Sequence, residues 1–392
     1  MIVRIKQKLI NIWRKVRYIN GSPVYWGRVF VRGKINKHEQ DMLTIHRFAN
    51  QTNYNNKRFF RWFVKMVLLL VWPIRMLEIS CKLNSKFGAK VALLCDKCKT
   101  KQFLEQITIS IVHNVPPQAY YNYQLYYSKQ KAKMNYYVFG HEISNLFTKL
   151  NSYNEQGEVS DKQAFANLCR EKKLPHVTTL ALFREGMFLD AENHLNIKKL
   201  PKSDLFIKPV NGCKGQGAHL WCYANGYYFQ QGNSVKLREE ELIKYYCQYS
   251  YQQTFLLQHK LKSHISLADI SGNAICSVRV VTIRREDGSI NFLSAVLKIP
   301  MNDEVTNSIG LICAVEADTG FLMRLYSYKA FCLGYDIHPV HHCKVEGREL
   351  PFWHEIVALT CKAHQFFSGY FSLGWDVAIT ASGPVLLETN QG

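Results

Sequence analysis

Two apolar segments near the end of the chain, residues 375–380 and 385–390, constrain the fold more than any other feature. A short Ala-Ser-Gly segment joins them, which predicts an antiparallel strand pair with Asp376 on one strand and Glu388 and Asn390 on the other. Side chains alternate across a strand, so Glu388 and Asn390 point to the same face. Two carboxylates and an amide oxygen that face one way suit Mg²⁺ that also carries phosphate groups. The pair therefore predicts a metal site on the face of a sheet.

A segment further upstream is typical of phosphate binding. Residues 205–209 predict an apolar strand that carries Lys208, and a glycine-rich loop follows at residues 211–217. An ammonium group on a buried strand is costly unless an anion meets it, and glycines let backbone N–H groups approach phosphate oxygens. An ordinary β-turn is the alternative explanation of this loop. The glycines concerned are Gly212, Gly215 and Gly217. Together with the predicted metal site, the loop favours a nucleotide-dependent enzyme.

The charge of the chain is distributed very unequally. Residues 1–150 contain 26 Lys and Arg against 6 Asp and Glu, whereas residues 151–392 contain 24 of each. A length of 392 residues predicts two or three folded units. We predict a basic, largely helical region at residues 1–90, a Tyr-rich accessory α/β region at residues 91–150, and a catalytic domain at residues 151–392.

The basic region contains two segments with helical periodicity. Residues 2–17 interleave apolar positions with Lys and Arg. In residues 57–77, Lys and Arg surround several Phe residues, two Trp residues that include Trp72, and a Val-Leu core. Such short basic amphipathic helices suit the headgroup layer of an anionic membrane. Helices that pack on the catalytic domain and solvate their basic faces explain the pattern nearly as well. Nucleic acid is a disfavoured partner, because no DNA- or RNA-binding signature accompanies the charge.

The compartment is predicted from what the sequence lacks. Residues 1–20 have no uninterrupted apolar core of the kind that a signal peptide needs. The most apolar run, residues 66–74, is much shorter than the ~20 residues of a spanning helix. Twelve cysteines are scattered without a secreted framework, which favours a reducing compartment. We expect a cytoplasmic protein with peripheral association at the inner face of the cytoplasmic membrane.

The second half of the chain alternates predicted helices and strands. Ser160, with Gln163 three residues later, predicts a capping box at the start of a helix. Residues 274–284 and 290–299 predict a hairpin about an acidic Gly-Ser turn. That hairpin carries Arg279 and Lys298 on otherwise apolar strands, and we predict that both cations converge on the phosphate site.

Taken in chain order, these features resemble the ATP-grasp superfamily: a helix lysine, a strand Lys-Pro, a glycine loop, a linker strand and then Asp…Glu-x-Asn. Residues 160–390 look like the sugar-transfer-associated ATP-grasp family within it. The closest stretches are residues 257–261 with His264, 277–282, 350–353 and 374–390. The resemblance implies an α+β fold in which two α+β subdomains grip ATP between antiparallel sheets, preceded here by the basic helical region.

The resemblance also implies roles for individual residues. Lys162 and Lys208 would hold the α- and β-phosphates of ATP, with the glycine loop closing over them as a lid. The adenine and ribose would be met by Gln258, by the backbone near Lys260 and by His264. Arg279, assisted by Lys298, would steady the transferring phosphate. One or two Mg²⁺ ions, for which Mn²⁺ could substitute, would be held by Asp376, Glu388 and Asn390, with Glu388 bridging.

The resulting hypothesis is an ADP-forming carboxylate–amine ligase that acts through an acyl phosphate. Family association suggests that it modifies a sugar or amino-acid substituent, free or lipid-linked, in cell-surface polysaccharide synthesis, beside glycosyltransferase partners. One alternative is a kinase on the same scaffold that phosphorylates a hydroxyl group. The other is a non-catalytic, membrane-associated partner of glycosyltransferases.

Overall fold

The protein is described here by a computed structural model, which divides it into two compact units, residues 1–150 and 151–392. The structure describes residues 36–50, 58–151, 159, 161–211, 216–272, 274–301, 310–327 and 334–391, with the backbone alone for residues 58–65.

The described part of the first unit is helical. Its α-helices are α1 (Lys37–Asn50), α2 (Arg58–Cys95), α3 (Lys99–His113), α4 (Pro117–Asn122), α5 (Ser128–Lys131) and α6 (Gly140–Leu150), with a 3₁₀ turn at Met134–Tyr136. The helix predicted for residues 57–77 is the first half of α2, which continues for 38 residues in all. The amphipathic helix predicted for residues 2–17 lies outside the described residues. No described helix is both long enough and apolar enough to span a bilayer.

The α/β character predicted for residues 91–150 is wrong, because the described chain there forms helices and turns only. Tyrosine favours strands in general, but that preference yields to tertiary packing. Tyr120, Tyr121 and Tyr126 are buried against one another between the helices. The hydroxyl of Tyr120 donates to Glu105 Oε2 at 2.7 Å, and Glu105 also forms ion pairs with lysines. The tyrosines thus build the core of a helical unit.

The second unit contains two antiparallel sheets with helices packed on them. Its α-helices are α7 (Lys162–Glu171), α8 (Glu239–Tyr249), α9 (Ala268–Ser271) and α10 (Trp353–His364), with a 3₁₀ turn at Ile265–Leu267. Its strands are β1 (Thr179–Arg184), β2 (Met187–Asp190), β3 (Leu205–Pro209), β4 (His219–Ala224), β5 (Tyr227–Gln230), β6 (Lys236–Leu237), β7 (Phe255–His259), β8 (Ser277–Arg284), β9 (Ile290–Ile299), β10 (Leu311–Val315), β11 (Leu322–Ser327), β12 (Ser372–Thr380) and β13 (Gly383–Gln391).

The first sheet has seven strands in the order β2-β1-β7-β3-β4-β5-β6. One face buries Phe183, Ile207, Trp221 and Leu257 against Leu242 of α8. Because side chains alternate, the neighbouring residues on these strands turn to the other face. That other face carries Lys208, and it is the face that contributes to the candidate site.

The second sheet has six strands in the order β11-β10-β9-β8-β12-β13, with its core face against α10. Val278, Leu297 and Trp375 lie in this core, and every residue of β12 is buried. Helix α7, which precedes both sheets, is capped by Asp161, whose carboxylate accepts from the N–H groups of Gln163 and Ala164. The capping role predicted for Ser160 is therefore taken by the next residue.

A chain of polar groups crosses the core of the second sheet. Trp375 Nε1 donates to Thr282 Oγ1 at 2.8 Å, and the Thr282 hydroxyl lies 2.8 Å from His364 Nδ1. His364 Nε2 in turn lies 3.0 Å from the carbonyl oxygen of Tyr370. Burial lowers the pKa of His364 to about 4, so the ring is neutral and each of its nitrogens has one partner. The chain ties α10 to β8 and β12, the two strands that carry Arg279 and Asp376.

Replacing Thr282 by Val should destabilise the protein, because it leaves the Trp375 N–H and His364 Nδ1 buried without partners. A buried polar group that loses its partner costs about 1–3 kcal/mol, and we expect a loss in that range by urea denaturation. Thr282→Ser keeps the hydroxyl and is the matched control, with an expected loss of about 1 kcal/mol from the deleted methyl group. Equal losses in the two variants would contradict a role for the hydroxyl.

Candidate active site

The face of the second sheet that lies opposite its core carries polar residues from several strands. Asp376 lies directly opposite Glu388 across the β12–β13 ladder, and directly opposite Arg279 across the β12–β8 ladder. The ladder shifts register just after Asp376, so one residue of β13 is extra there, and such bulges often re-aim neighbouring side chains. Asn390 follows Glu388 on the same face, whereas Thr389 is buried on the core side. Glu388 and Asn390 thus share one face of the strand, as the alternation of side chains predicted.

Asp376 is held by two cations from neighbouring strands. Arg279 donates to both carboxylate oxygens, from Nε to Oδ1 at 2.6 Å and from Nη2 to Oδ2 at 2.8 Å. Lys298 Nζ donates to Oδ1 at 2.8 Å. Burial by itself would raise the pKa of Asp376, but the hydrogen bonds and charges of Arg279 and Lys298 outweigh it and hold that pKa below its ordinary value. The carboxylate therefore stays ionised and fixes the plane of the guanidinium group.

Lys208 brings a third cation to these carboxylates from the other sheet. Its side chain keeps part of its surface accessible, yet desolvation lowers the pKa of its ammonium group from 10.5 to about 8. The charges of Glu388 and Asp376 oppose that shift, and the charge of Lys162 adds to it. Because the energy between two charges falls as their separation grows, these interactions place the four residues in one site. An ammonium group in this position would be stabilised by an added anion.

Lys162 reaches the same region from the first turn of α7. Its Nζ donates to the carbonyl oxygen of Val210, two residues after Lys208, at 3.1 Å. The loop that follows contains the predicted phosphate-binding glycines, of which Gly212 and Gly215 lie outside the described residues. Gly217 has φ +72°, and a Cβ atom there would lie 3.0 Å from the ring of Pro209. Glycine is therefore required where the chain returns to β4.

Backbone bonds fix the two sheets of this unit to each other. The Leu386 N–H of β13 donates to the Pro175 carbonyl at 3.0 Å, and the Val177 N–H donates to the Leu386 carbonyl at 3.1 Å, just before β1 begins. On the other connection, the His264 N–H donates to the Ile379 carbonyl at 2.8 Å. These bonds bring Lys208 of one sheet and Glu388 of the other to the same place.

The three residues predicted to meet adenine and ribose are placed differently from one another. Gln258 is buried on β7, on the Lys208 face of the sheet, with Nε2 3.5 Å from Thr179 Oγ1. Lys260 follows the strand and forms an ion pair with Asp204 at 3.7 Å.

His264 caps the short turn that follows, where its Nδ1 accepts from the Ser266 N–H, and its ring edge meets Phe352. Among the described contacts, none joins His264 to Lys208 or to the carboxylates. Its predicted role near the ribose stays a prediction.

An apolar patch beside Lys208 was not predicted. Leu182, Leu189 and Leu256 form a small buried cluster with Val210 packed against it. Leu256 is the cross-strand neighbour of both Lys208 and Leu182, so the patch, Lys208 and the Gln258 amide share one face. Strand alternation places these leucines on the Lys208 face, but only the strand order shows that they are neighbours.

The carboxylate–amide set has the donor chemistry that a divalent cation with phosphate needs. Among the described residues, no three or more His, Cys, Asp or Glu side chains form a cluster that could bind a metal ion. The set at this site consists of two carboxylates, Asp376 and Glu388, and the amide of Asn390. Asn390 Nδ2 is buried and has no hydrogen-bond partner among the described residues, so this N–H donor is available to an acceptor such as a phosphate oxygen, and the amide oxygen is the atom that would bind a metal. Mg²⁺ commonly takes one or two carboxylates and completes its shell with phosphate oxygens and water. These residues fit that pattern.

Comparison with known proteins agrees with this geometry. The model of the family described as sugar-transfer associated ATP-grasp matches residues 142–392. No curated protein matches the chain.

Several solved structures are similar. An N5-carboxyaminoimidazole ribonucleotide synthetase in complex with ADP is 14% identical (TM-score 0.35), with 60% of this chain and 45% of that chain covered. The D-alanine–D-alanine ligase of Bacillus anthracis is 12% identical (TM-score 0.34; 62% and 59% covered). The ATP-grasp ligase PsnB, bound to a minimal precursor, Mg and ADP, is 14% identical (TM-score 0.31; 68% and 61% covered). The chain thus spans about half of the length of these proteins.

Proposed function

Because the chain belongs to the sugar-transfer-associated ATP-grasp family, we propose that it is an ATP-dependent carboxylate–amine ligase that acts through an acyl phosphate. The substrate would be a sugar or an amino-acid substituent, free or lipid-linked, in polysaccharide synthesis. One observation carries the proposal: Asp376, bound by Arg279 and Lys298, lies opposite Glu388 in one sheet, and backbone bonds of Leu386 and Ile379 fix that sheet to the one that carries Lys208. A nucleoside triphosphate with Mg²⁺ needs cations for its phosphate groups and carboxylates for its metal ion, and the two sheets supply both.

The proposed roles follow from where each group lies. Lys208 and Lys162 bind phosphate oxygens, and the apolar patch with the Gln258 amide receives the adenine. Asp376, Glu388 and Asn390 hold Mg²⁺, which when bound neutralises charge on the phosphates. Asp376 therefore has a second role, because it also fixes the orientation of Arg279.

The reaction then proceeds in two balanced steps. A carboxylate oxygen of the substrate attacks the γ-phosphorus of ATP, the bond to the β-phosphate oxygen breaks, and ADP leaves. Arg279 and Lys298 stabilise the charge on the transferring phosphoryl group, as fixed cations do in such transition states. An amine nitrogen next attacks the acyl carbon, phosphate leaves, and the amine loses a proton to give the amide.

Trapping with hydroxylamine tests this proposal. The protein is incubated with ATP, Mg²⁺, hydroxylamine and a panel of uronic acids, N-acyl amino acids and amino acids. A ligase converts an acyl phosphate into a hydroxamate and releases ADP and free phosphate in equal amounts. Release of ADP with a phosphorylated hydroxyl product and no free phosphate would identify a kinase and overturn the proposal. ATP bound but never consumed across the panel would favour a non-catalytic role.

A further inference from the structure

Helix α2 carries a row of large apolar side chains that the protein does not bury. Met66 is 38% exposed, Leu70 72%, Ile74 67% and Leu77 43%. Their spacing of four, four and three residues places them along one face of a helix. We call these four residues the α2 stripe.

The α2 stripe is distinct from the buried face of the same helix. Trp72, Met76 and Ser80 are buried against the first unit, so α2 is already anchored by that side. Single exposed apolar side chains are common, but a contiguous row marks an interaction surface. The aromatic Trp72 therefore belongs to the buried face. The outward face is aliphatic instead.

Charge complementarity identifies the occupant of the α2 stripe. The unit that presents it has 26 basic against 6 acidic residues. A second copy of the chain would bring a unit of the same charge against this one, which disfavours self-association through the stripe. An anionic lipid surface offers an apolar layer for the stripe and negative headgroups that attract the basic unit that carries it.

We propose that the α2 stripe docks α2 into the headgroup layer of an anionic membrane, with the helix lying along the surface. Residues 66–77 span about 16 Å of helix at ~1.5 Å per residue, too short to cross a bilayer but sufficient to bury one face by ~5–10 Å. This inference does not depend on the ligase reaction. It places the enzyme beside lipid-linked acceptors, if its substrates are of that kind.

Vesicle sedimentation with the full chain tests the proposal. The wild type should bind vesicles that contain phosphatidylcholine and 30% phosphatidylglycerol, bind pure phosphatidylcholine vesicles at least tenfold more weakly, and lose affinity at 0.5 M NaCl because salt screens surface charge. Leu70→Glu/Ile74→Glu should reduce binding to the anionic vesicles at least tenfold. Both side chains are exposed, so melting temperature should not change.

The matched control is Leu195→Glu/Leu293→Glu, which adds the same charge at residues of the second unit that are 65% and 56% exposed. It should bind vesicles as the wild type does. Equal losses in both double variants would show that net charge alone drives binding, and would overturn the role of the stripe. A wild type that ignores vesicles but dissociates from dimer to monomer on Leu70→Glu/Ile74→Glu would instead assign the stripe to a second copy.

Discussion

Replacing Lys208 by Met is expected to abolish ATP binding and, at the same time, to stabilise the protein without nucleotide. The ammonium group of Lys208 is costly in the free protein because desolvation lowers its pKa to about 8. A lowering from 10.5 to about 8 corresponds to roughly 3 kcal/mol, and the partial accessibility of the side chain reduces this. We expect Lys208→Met to gain about 1–2 kcal/mol in urea denaturation at pH 7 and to lose ATP affinity at least 100-fold.

The pH dependence provides a sharper test of the same residue. Between pH 8 and 10.5 the unfolded chain keeps a proton on Lys208 that the folded protein has released, so folding stability should rise with pH across that window. Lys208→Met should lack this rise. Phosphate contacts raise the pKa of a lysine, so ATP binding near pH 8.5 should take up a proton in the wild type and none in the variant. Calorimetry in buffers of different ionisation enthalpy measures that uptake.

Lys244→Met is the matched control, because Lys244 is exposed on α8, and α8 packs on the face of the first sheet opposite to Lys208. It should leave ATP affinity and proton uptake unchanged. If Lys208→Met lowers stability instead, Lys208 would be a paired structural cation and its assignment as a phosphate ligand would lose its physical basis.

Asp376→Asn and Glu388→Gln make the same chemical change at facing positions but should have different effects. Asp376 forms ion pairs with Arg279 and Lys298, and removal of one partner from a buried ion pair typically costs about 3–5 kcal/mol. We expect Asp376→Asn to lose about 3 kcal/mol in urea denaturation. Glu388 has no ion pair among the described residues and acts on Lys208 only through its charge, so Glu388→Gln should cost at most about 1 kcal/mol. Both variants should lose more than 100-fold of Mg²⁺-dependent turnover.

The contribution of Asp376 also has a predicted pH dependence. Its pKa is held below its ordinary value in the folded protein, so its stabilisation is present at neutral pH and is lost as the pH falls through the folded pKa. The difference in stability between wild type and Asp376→Asn should therefore shrink in acid. Similar stability losses for Asp376→Asn and Glu388→Gln at pH 7 would contradict the ion-pair geometry.

Local patterns in the sequence predict the strands of the site well. Leu205–Pro209 and Ile290–Ile299 have the bounds that alternation and flanking turns predict. The facing of Glu388 and Asn390 also follows, because a side-chain period of two residues leaves only two choices. These features depend on neighbours along the chain, which is why they can be read without a structure.

Pairings between distant residues could not be predicted in the same way. Arg279 and Asp376 are 97 residues apart, and their contact depends on the register between β8 and β12. Both were predicted at the site, but as separate ligands of phosphate and metal rather than as partners. The apolar patch of Leu182, Leu189 and Leu256 depends likewise on strand order.

The largest error, the α/β character of residues 91–150, has a different origin. Tyrosine-rich sequence is ambiguous, because aromatic side chains favour strands by propensity but also fill the cores between helices. Tyr120 and Tyr121 pack between helices and also satisfy their hydroxyls with Glu105 and Gln102. Only the packing partners, which come from elsewhere in the chain, decide between the two structures.

The central claim is that the two sheets of the second unit share one nucleotide site, and calorimetric titration with ATP tests it most directly. Wild-type protein should bind one ATP per chain with Mg²⁺ present and much more weakly with EDTA. Lys208→Met, from the first sheet, should weaken Mg²⁺-dependent binding at least 100-fold, and Glu388→Gln, from the second, at least tenfold. Absence of binding by the wild type, or loss in only one of the two variants, would contradict a site shared between the sheets.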